Sequence, residues 1–327
     1  MDTRKNNILK RTYYRMHEEV NYRLWRNKWK SQGLSKESYS IIYNSDYRAR
    51  KFLEKARGKG FRIVTRGSML KYKNSDRLYI LGSGPSINDI DQLQWEAIKK
   101  YDSLALNWFI AHHFVPTYYH MELLVENANL FKECYLAKSD IFKKKPMIFN
   151  CPKLPDNTSP IDYSYIEDLY LSIAKAFGGG DINHLREALE YVYFKRDYKK
   201  ENLLVRTSGS LMIAISFGVL MGYDEIVLVG VDLDTREYFF YDQDLYNDSI
   251  ALKVRAYKIK EQKKNYKKKP YGSLHKVADP KLHRHGLSLD KVVLLMNDFV
   301  LKPKGIRLYL YSEKSLLYPQ LEVLKSD

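Results

Sequence analysis

The chain of 327 residues has two cysteines, Cys134 and Cys151. They are too few for a disulfide framework and lack CxxC spacing. Two such thiols fit a reducing cytoplasm, or simply small buried side chains. No run of roughly eighteen apolar residues occurs, so no transmembrane helix is expected. The opening stretch, MDTRKNNILKRTYYR, has no apolar core and does not read as a secretory signal. GxGxxG, the lysine of a phosphate loop, HExxH and a Ser/His/Asp nucleophile pattern are also missing. Acidic residues are in short supply: 39 Asp and Glu stand against 55 Lys and Arg, a net charge of +16. The imbalance is local. Residues 1–75 hold 20 basic and 6 acidic residues, a net of +14, which leaves +2 for the rest. A second basic run spans Lys253 to Lys269. Each run would attract a polyanion, nucleic acid or anionic lipid, or form a solvated face.

Hydrophobic residues make up 45% of the chain, enough for a sizeable core. Residues 8–31 read as a helix in which Tyr14, Leu24, Trp25 and Trp29 are interleaved with Arg and Lys. That pattern suits a membrane interface or packing on the main domain. Residues 35–58 read as a second basic helix, and the boundary of the extension is placed near residue 75. Beyond it, strands are expected at Arg77–Leu81, Ser103–Asn107, Pro116–His120, Pro146–Asn150, Glu225–Asp232 and Ile306–Ser312. Helices are expected from Ser86 to Lys100, through the polar stretch 161–200, at Ser208–Met221 and at Leu287–Leu301. Apolar strands alternating with helices indicate an α/β domain with a mainly parallel sheet covered on both faces. Residues 233–284 read as a tyrosine-rich loop, the length of a lid or a disordered segment.

Chemistry is expected where strands end. Gly82-Ser83-Gly84-Pro85-Ser86 follows the first strand and precedes a helix. Its glycines would let the backbone approach a nucleotide, and the helix would offer N–H groups to phosphate; a plain structural turn has the same signature. Arg206-Thr207-Ser208-Gly209-Ser210 opens the apolar helix, where hydroxyls either cap it or hold an anion. Asp232 closes a buried strand, a position from which a carboxylate reaches a ribose hydroxyl. His285, in His283-Arg284-His285-Gly286, is an imidazole able to take a proton at neutral pH. Asp279, His283 and His285 do not have zinc-ligand spacing, so no metal site is expected.

These motifs, in this order over residues 77–318, resemble glycosyltransferase family 42, bacterial sialyltransferases that use a CMP-activated donor. The resemblance rests on YILGSGPS (79–86), LNWF (106–109), RTSG (206–209), GYDEI (222–226), GVD (230–232), Tyr238, His285 and IRLYLYSEKSLL (306–317). It implies a Rossmann-like, GT-A-type sheet with a lid at 233–284, preceded by the basic helical extension. It implies inverting transfer from a CMP-sugar, with no cofactor and no metal required. His285 would be the general base, Tyr238 would help the phosphate leave, and Arg206 would act beside them. Gly82, Ser83, Gly84, Pro85, Ser86, Asn107, His120, Thr207, Ser208, Gly209, Asp232 and Asp234 would line the donor site. Ser83 and His120 stand where the family has Asn, Asp234 where a second lid tyrosine is expected, and Val205 where its arginine sits. The donor expected is CMP-activated sialic acid or, given those differences, a related sugar acid such as legionaminic acid, pseudaminic acid or Kdo.

The partners implied are that donor, a hydroxyl on a glycan acceptor (lipooligosaccharide, O-antigen or capsule), the anionic inner membrane through residues 1–75, and a second copy of the chain in a homo-oligomer. Localisation is expected to be cytoplasmic, peripheral at the inner membrane, and no nucleic-acid partner is expected. Two other readings stay open. A pterin-type pyrophosphokinase, or a flagellin-glycosylation accessory protein, also begins with a strand and GxGPS, and would need clustered carboxylates for Mg²⁺. A basic nucleic-acid-binding scaffold would bind in a salt-sensitive way.

Overall fold

A computed structural model of the chain describes residues 33–150, 162–172, 174–176, 181–207, 209–268, 274–275, 277–279 and 287–325. The helix expected at 8–31, Cys151, Gly178 to Gly180, Ser208, Tyr271, His283 and His285 lie outside the described residues. In chain order the strands are β1 (Arg77–Leu81), β2 (Asp102–Leu106), β3 (Tyr118–Glu122), β4 (Met147–Asn150), β5 (Leu169–Ser172), β6 (Ala174–Ala176), β7 (Leu204–Arg206), β8 (Glu225–Val229) and β9 (Arg307–Leu310). The helices are α1 (Lys36–Gly58), α2 (Arg66–Leu70), α3 (Gln92–Ile98), α4 (Val125–Ala137), α5 (Ser139–Phe142), α6 (Ile182–Glu190), α7 (Ser210–Met221), α8 (Ser249–Lys268) and α9 (Leu289–Met296).

Seven strands form one sheet in the order β5-β4-β3-β2-β1-β8-β9, with every pairing parallel. This is a Rossmann-like α/β architecture. Strand side chains alternate between two cores. Leu78 and Ile80 face the layer of α6, α7 and α9, while Tyr79 and Leu81 face α3, α4 and the segment 239–254. All twelve residues of α7 are buried, as expected of a helix apolar on every side. It lies between the main sheet and the small parallel β6–β7 pair, where the Val205 amide donates to Ser216 Oγ at 2.9 Å. Gly222, at φ 74°, ends α7 in the left-handed conformation that glycine adopts without strain.

The expected strands at 77, 103, 116, 146, 225 and 306 are all present, with ends shifted by up to three residues. Four regions differ from expectation. The stretch 161–200, read as helical, contains β5 and β6 before α6. β5 is the sheet edge, and Ile63 bridges Leu171 there, so pairing outweighs the polarity of the flanks. Residues 34–70, grouped in sequence with the basic extension, pack into the domain: Leu34, Ile42, Val64 and Met69 are buried in the α7 core. Within the segment 233–284, the described residues 233–268 are not a loose loop. They contain a 3₁₀ turn at Phe239–Tyr241 and the 20-residue α8, and Phe239, Phe240, Tyr246, Ile250 and Val254 are buried against the sheet. Finally, Gly82–Ser86 is followed by a 3₁₀ turn, Pro85–Asp89, and only then by α3. Among the described residues, no helix is long and apolar enough to cross a membrane.

Candidate active site

The chain leaves β1 towards β2 on one side, while β8 pairs β1 on the other. Strand order reverses here, and in an open parallel sheet ligands bind in the crevice beyond the carboxyl ends at such a point. The two turns at the crevice touch backbone to backbone. The Gly82 amide donates to the Val229 carbonyl at 2.7 Å and the Gly84 amide to the Gly230 carbonyl at 2.8 Å. A Cβ at Gly82 would collide with the Gly230 carbonyl, and one at Gly84 with the Asp232 carboxylate. Glycine is required here for close approach.

Asp232 is 5% exposed. Its Oδ2 accepts from the Ser86 amide at 2.9 Å and its Oδ1 from the Ser86 hydroxyl at 2.5 Å. Burial pushes its carboxyl above the usual aspartate value, with the nearby charges of Asp234 and Asp89 adding to the rise and the Ser86 bonds opposing it. The carboxylate therefore caps the turn that was expected to offer its N–H groups to phosphate.

The far wall is built at the ends of β2 and β3. Asn107 sits at φ 52° and its Oδ1 accepts from the Glu122 amide at 3.2 Å, joining the two strand ends. Glu122 accepts from the Arg206 guanidinium through one oxygen and from Ser210 Oγ at 3.3 Å through the other. It thus occupies the N-terminus of α7, where the helix dipole favours a negative charge. His120 lies two residues earlier on the same strand face. It is 1% exposed, and neither ring nitrogen has a hydrogen-bond partner among the described residues. Burial, with the Arg206 charge adding to it, lowers its pKa to about 3.

A roof closes the crevice. The Phe239 amide donates to the Ser83 carbonyl at 3.1 Å, and Asn88 Nδ2 donates to the Phe239 carbonyl at 3.1 Å. The buried Arg255 donates to the carbonyls of Phe240, Asp242 and Tyr246, which holds this corner in place. Tyr238 stacks on Phe240 with ring centroids 5.1 Å apart, and its hydroxyl lies 3.4 Å from His275 Nε2. His275 is anchored through its own amide to the Leu233 carbonyl at 3.1 Å. From α8, Tyr257 packs on Trp108 at 5.3 Å, and Lys258 reaches Glu261 Oε2 at 2.5 Å with its ammonium 5.0 Å from the Tyr238 ring centre. Between floor and roof is a cavity of about 270 Å³, just below the usual range of small-molecule sites.

Of the residues singled out in sequence, Gly82, Ser83, Gly84, Asn107, Gly209, Asp232 and Tyr238 line this cavity. The others that are described do not. Pro85 and Ser86 belong to the turn behind Asp232, Arg206 stands behind Glu122, and His120 and Thr207 are buried. Asp234 is exposed and lies outside the wall. Ser208 and His285 are among the residues not described. Sequence reasoning missed Glu122, Trp108, Tyr257, Lys258, Glu261 and His275. Glu122 ends a buried strand as Asp232 nearly does, so the same rule would have found it. Lys258 was hidden in a basic run read as a charged surface. Among the described residues, no three His, Cys, Asp or Glu side chains are grouped to hold a metal ion.

The site is a crevice at the carboxyl ends of the strands of a Rossmann-like domain. No family model matches the chain, and no curated protein matches it. Among solved structures it is similar to an apo alpha-2,3-sialyltransferase from Campylobacter jejuni, at 18% identity over 80% of this chain and 82% of that one. The TM-score is 0.36, too low for the likeness to bear on fold or function.

Proposed function

We propose that the chain is an inverting glycosyltransferase. It moves a sugar acid, a nonulosonate or Kdo, from a CMP-activated donor to a hydroxyl of a cell-surface glycan. The observation that carries this reading is the half-open crevice at the point where strand order reverses, floored by Gly82–Gly84 and Gly230–Asp232 and roofed by Tyr238. Its wall combines apolar surface from Leu106, Trp108, Met121 and Leu211 with a few polar groups, the composition of a site that seats a base and orients a polar tail.

In the proposed step, an acceptor oxygen attacks the anomeric carbon as the bond from that carbon to the phosphate oxygen breaks. The transition state is oxocarbenium-like, and the site must supply a base on one side and donors to the departing phosphate on the other. His285 takes the acceptor's proton. Tyr238 donates to the phosphate oxygen as CMP leaves with the bonding pair. The His275 ring beside the Tyr238 hydroxyl orients that donor. Residues 1–32 hold the enzyme at an anionic membrane surface, where lipid-linked acceptors are presented.

The experiment is calorimetry with CMP, CDP, UDP, GDP and ATP, with and without Mg²⁺. Selective, metal-independent binding of CMP or CDP supports the reading. Mg²⁺-dependent ATP binding replaces it with a pyrophosphokinase, and binding of no nucleotide removes both.

A further inference from the structure

The two places where a helical turn was expected to receive phosphate are filled by the chain's own carboxylates. Asp232 takes the Ser86 amide and hydroxyl at the 3₁₀ turn. Glu122 takes Ser210 Oγ and the Arg206 guanidinium at the start of α7. A phosphate entering the cavity would meet these anions, and needs a cation elsewhere.

Among the described residues of the cavity wall, Lys258 is the one lysine or arginine. It sits on the inner face of α8, one turn from Glu261, and the two side chains are 9% and 26% exposed. That asymmetry has a direction. Lys258 is held inside, with its ammonium over the Tyr238 ring, and a buried ammonium requires an anionic or hydrogen-bonding partner. Glu261 is the more exposed of the two and can turn its carboxylate to water. An ammonium has three donors on a flexible stem, so it can exchange one anion for another without movement of the helix. A phosphate bound there would also lie close to Tyr238, the proposed donor to the leaving group.

We propose that Lys258 is the phosphate-holding residue of this cavity, and that Glu261 is its resting partner, exchanged for a nucleotide phosphate on binding. The ligand class is a nucleoside phosphate with the phosphate turned towards the roof. The inference rests on the nucleotide-donor reading, and its test separates the two.

The test is paired calorimetry of a nucleoside and its monophosphate, cytidine and CMP, on the intact chain and three variants. Lys258→Gln is expected to lower CMP affinity relative to cytidine by about tenfold to hundredfold, the range of a lost charge-assisted hydrogen bond. Retained cytidine binding reports an intact cavity. Lys258→Arg is expected to restore most of the ratio, and Glu261→Gln to raise CMP affinity. An unchanged CMP-to-cytidine ratio in Lys258→Gln overturns the proposal, as does a wild type that binds both equally. If a different nucleoside–nucleotide pair binds instead, the CMP-donor reading fails while the same ratio, taken on that pair, still judges Lys258. If no nucleotide binds, both fail.

Discussion

Asp232 and Ser86 hold each other at the floor of the crevice, one carboxylate oxygen on the amide and the other on the hydroxyl, 146 residues apart in sequence. The pair sets the shape of the floor and has a pH signature. Burial raises the Asp232 carboxyl above the ordinary aspartate value of 3.8. The folded chain therefore holds this proton more tightly than the unfolded chain, and the group's contribution to stability falls as pH rises from 3.8 through its folded value. Asp232→Asn keeps the shape and should flatten that slope in urea titrations across the acid range. Asp232→Ala leaves Ser86 without its partners and should cost about 1–3 kcal/mol.

His120 has the opposite sign. Its ring stays neutral in the fold down to about 3, whereas the unfolded ring protonates near 6.5. Its contribution is complete above 6.5 and is lost as pH falls towards 3. His120→Leu should reduce the loss of stability on acidification. It should also raise stability at neutral pH by up to about 1 kcal/mol, because a buried ring without a hydrogen-bond partner among the described residues is replaced by an apolar one. Thermal melts at several pH values check both. An acid limb as steep as wild type would mean that His120 is not the buried neutral ring described above.

The proposed chemistry separates binding from turnover. Tyr238→Phe should lower turnover about hundredfold, the scale of one lost donor to a developing charge, and weaken CMP by about tenfold through the bond lost to its phosphate, with cytidine binding kept. His285→Ala should lower turnover by about hundredfold to ten-thousandfold, with CMP binding kept. Retained turnover in His285→Ala would take that residue out of the mechanism. If His275 acts through Tyr238, its loss should add little to the Tyr238→Phe defect in the double variant.

Two truncations should behave differently. Removing residues 1–75 takes Leu34, Ile42, Val64 and Met69 out of the core. At about 1.5–3 kcal/mol for each buried side chain, that loss approaches the whole stability of a typical domain, and the product should not fold. Removing residues 1–32 spares these side chains. It should leave the melting transition in place and abolish binding to anionic vesicles. Unchanged vesicle binding would sink the membrane role.

The sheet was readable because six of its seven strands are short apolar runs, four of them ended by Gly82, Asn107, Asn150 or Gly230, and parallel strands buried on both faces leave that trace. β5 and β6 were not, since Leu169–Ser172 sits in a polar stretch and owes its pairing to β4 and to Ile63, more than a hundred residues earlier. The floor and part of the far wall were readable for the reason the sheet was: Gly82, Asn107 and Asp232 stand at or just beyond strand ends. Arg206 and Thr207 were expected at the ligand, but the Glu122 carboxylate draws the guanidinium aside, a pairing across 84 residues that no local pattern announces. Lys258 could not be separated from its neighbours in the basic run until α8 turned one face of it inward.

The cavity wall draws on segments from Gly82 to Leu289, that is, on both cores and on the roof between them. No half of the domain can bind alone. Occupancy is therefore a report on the entire fold: a ligand at a hundred times its dissociation constant should raise global stability by about 2.7 kcal/mol. It should also protect amides in β3 and α9 alike from exchange, although few of them touch it.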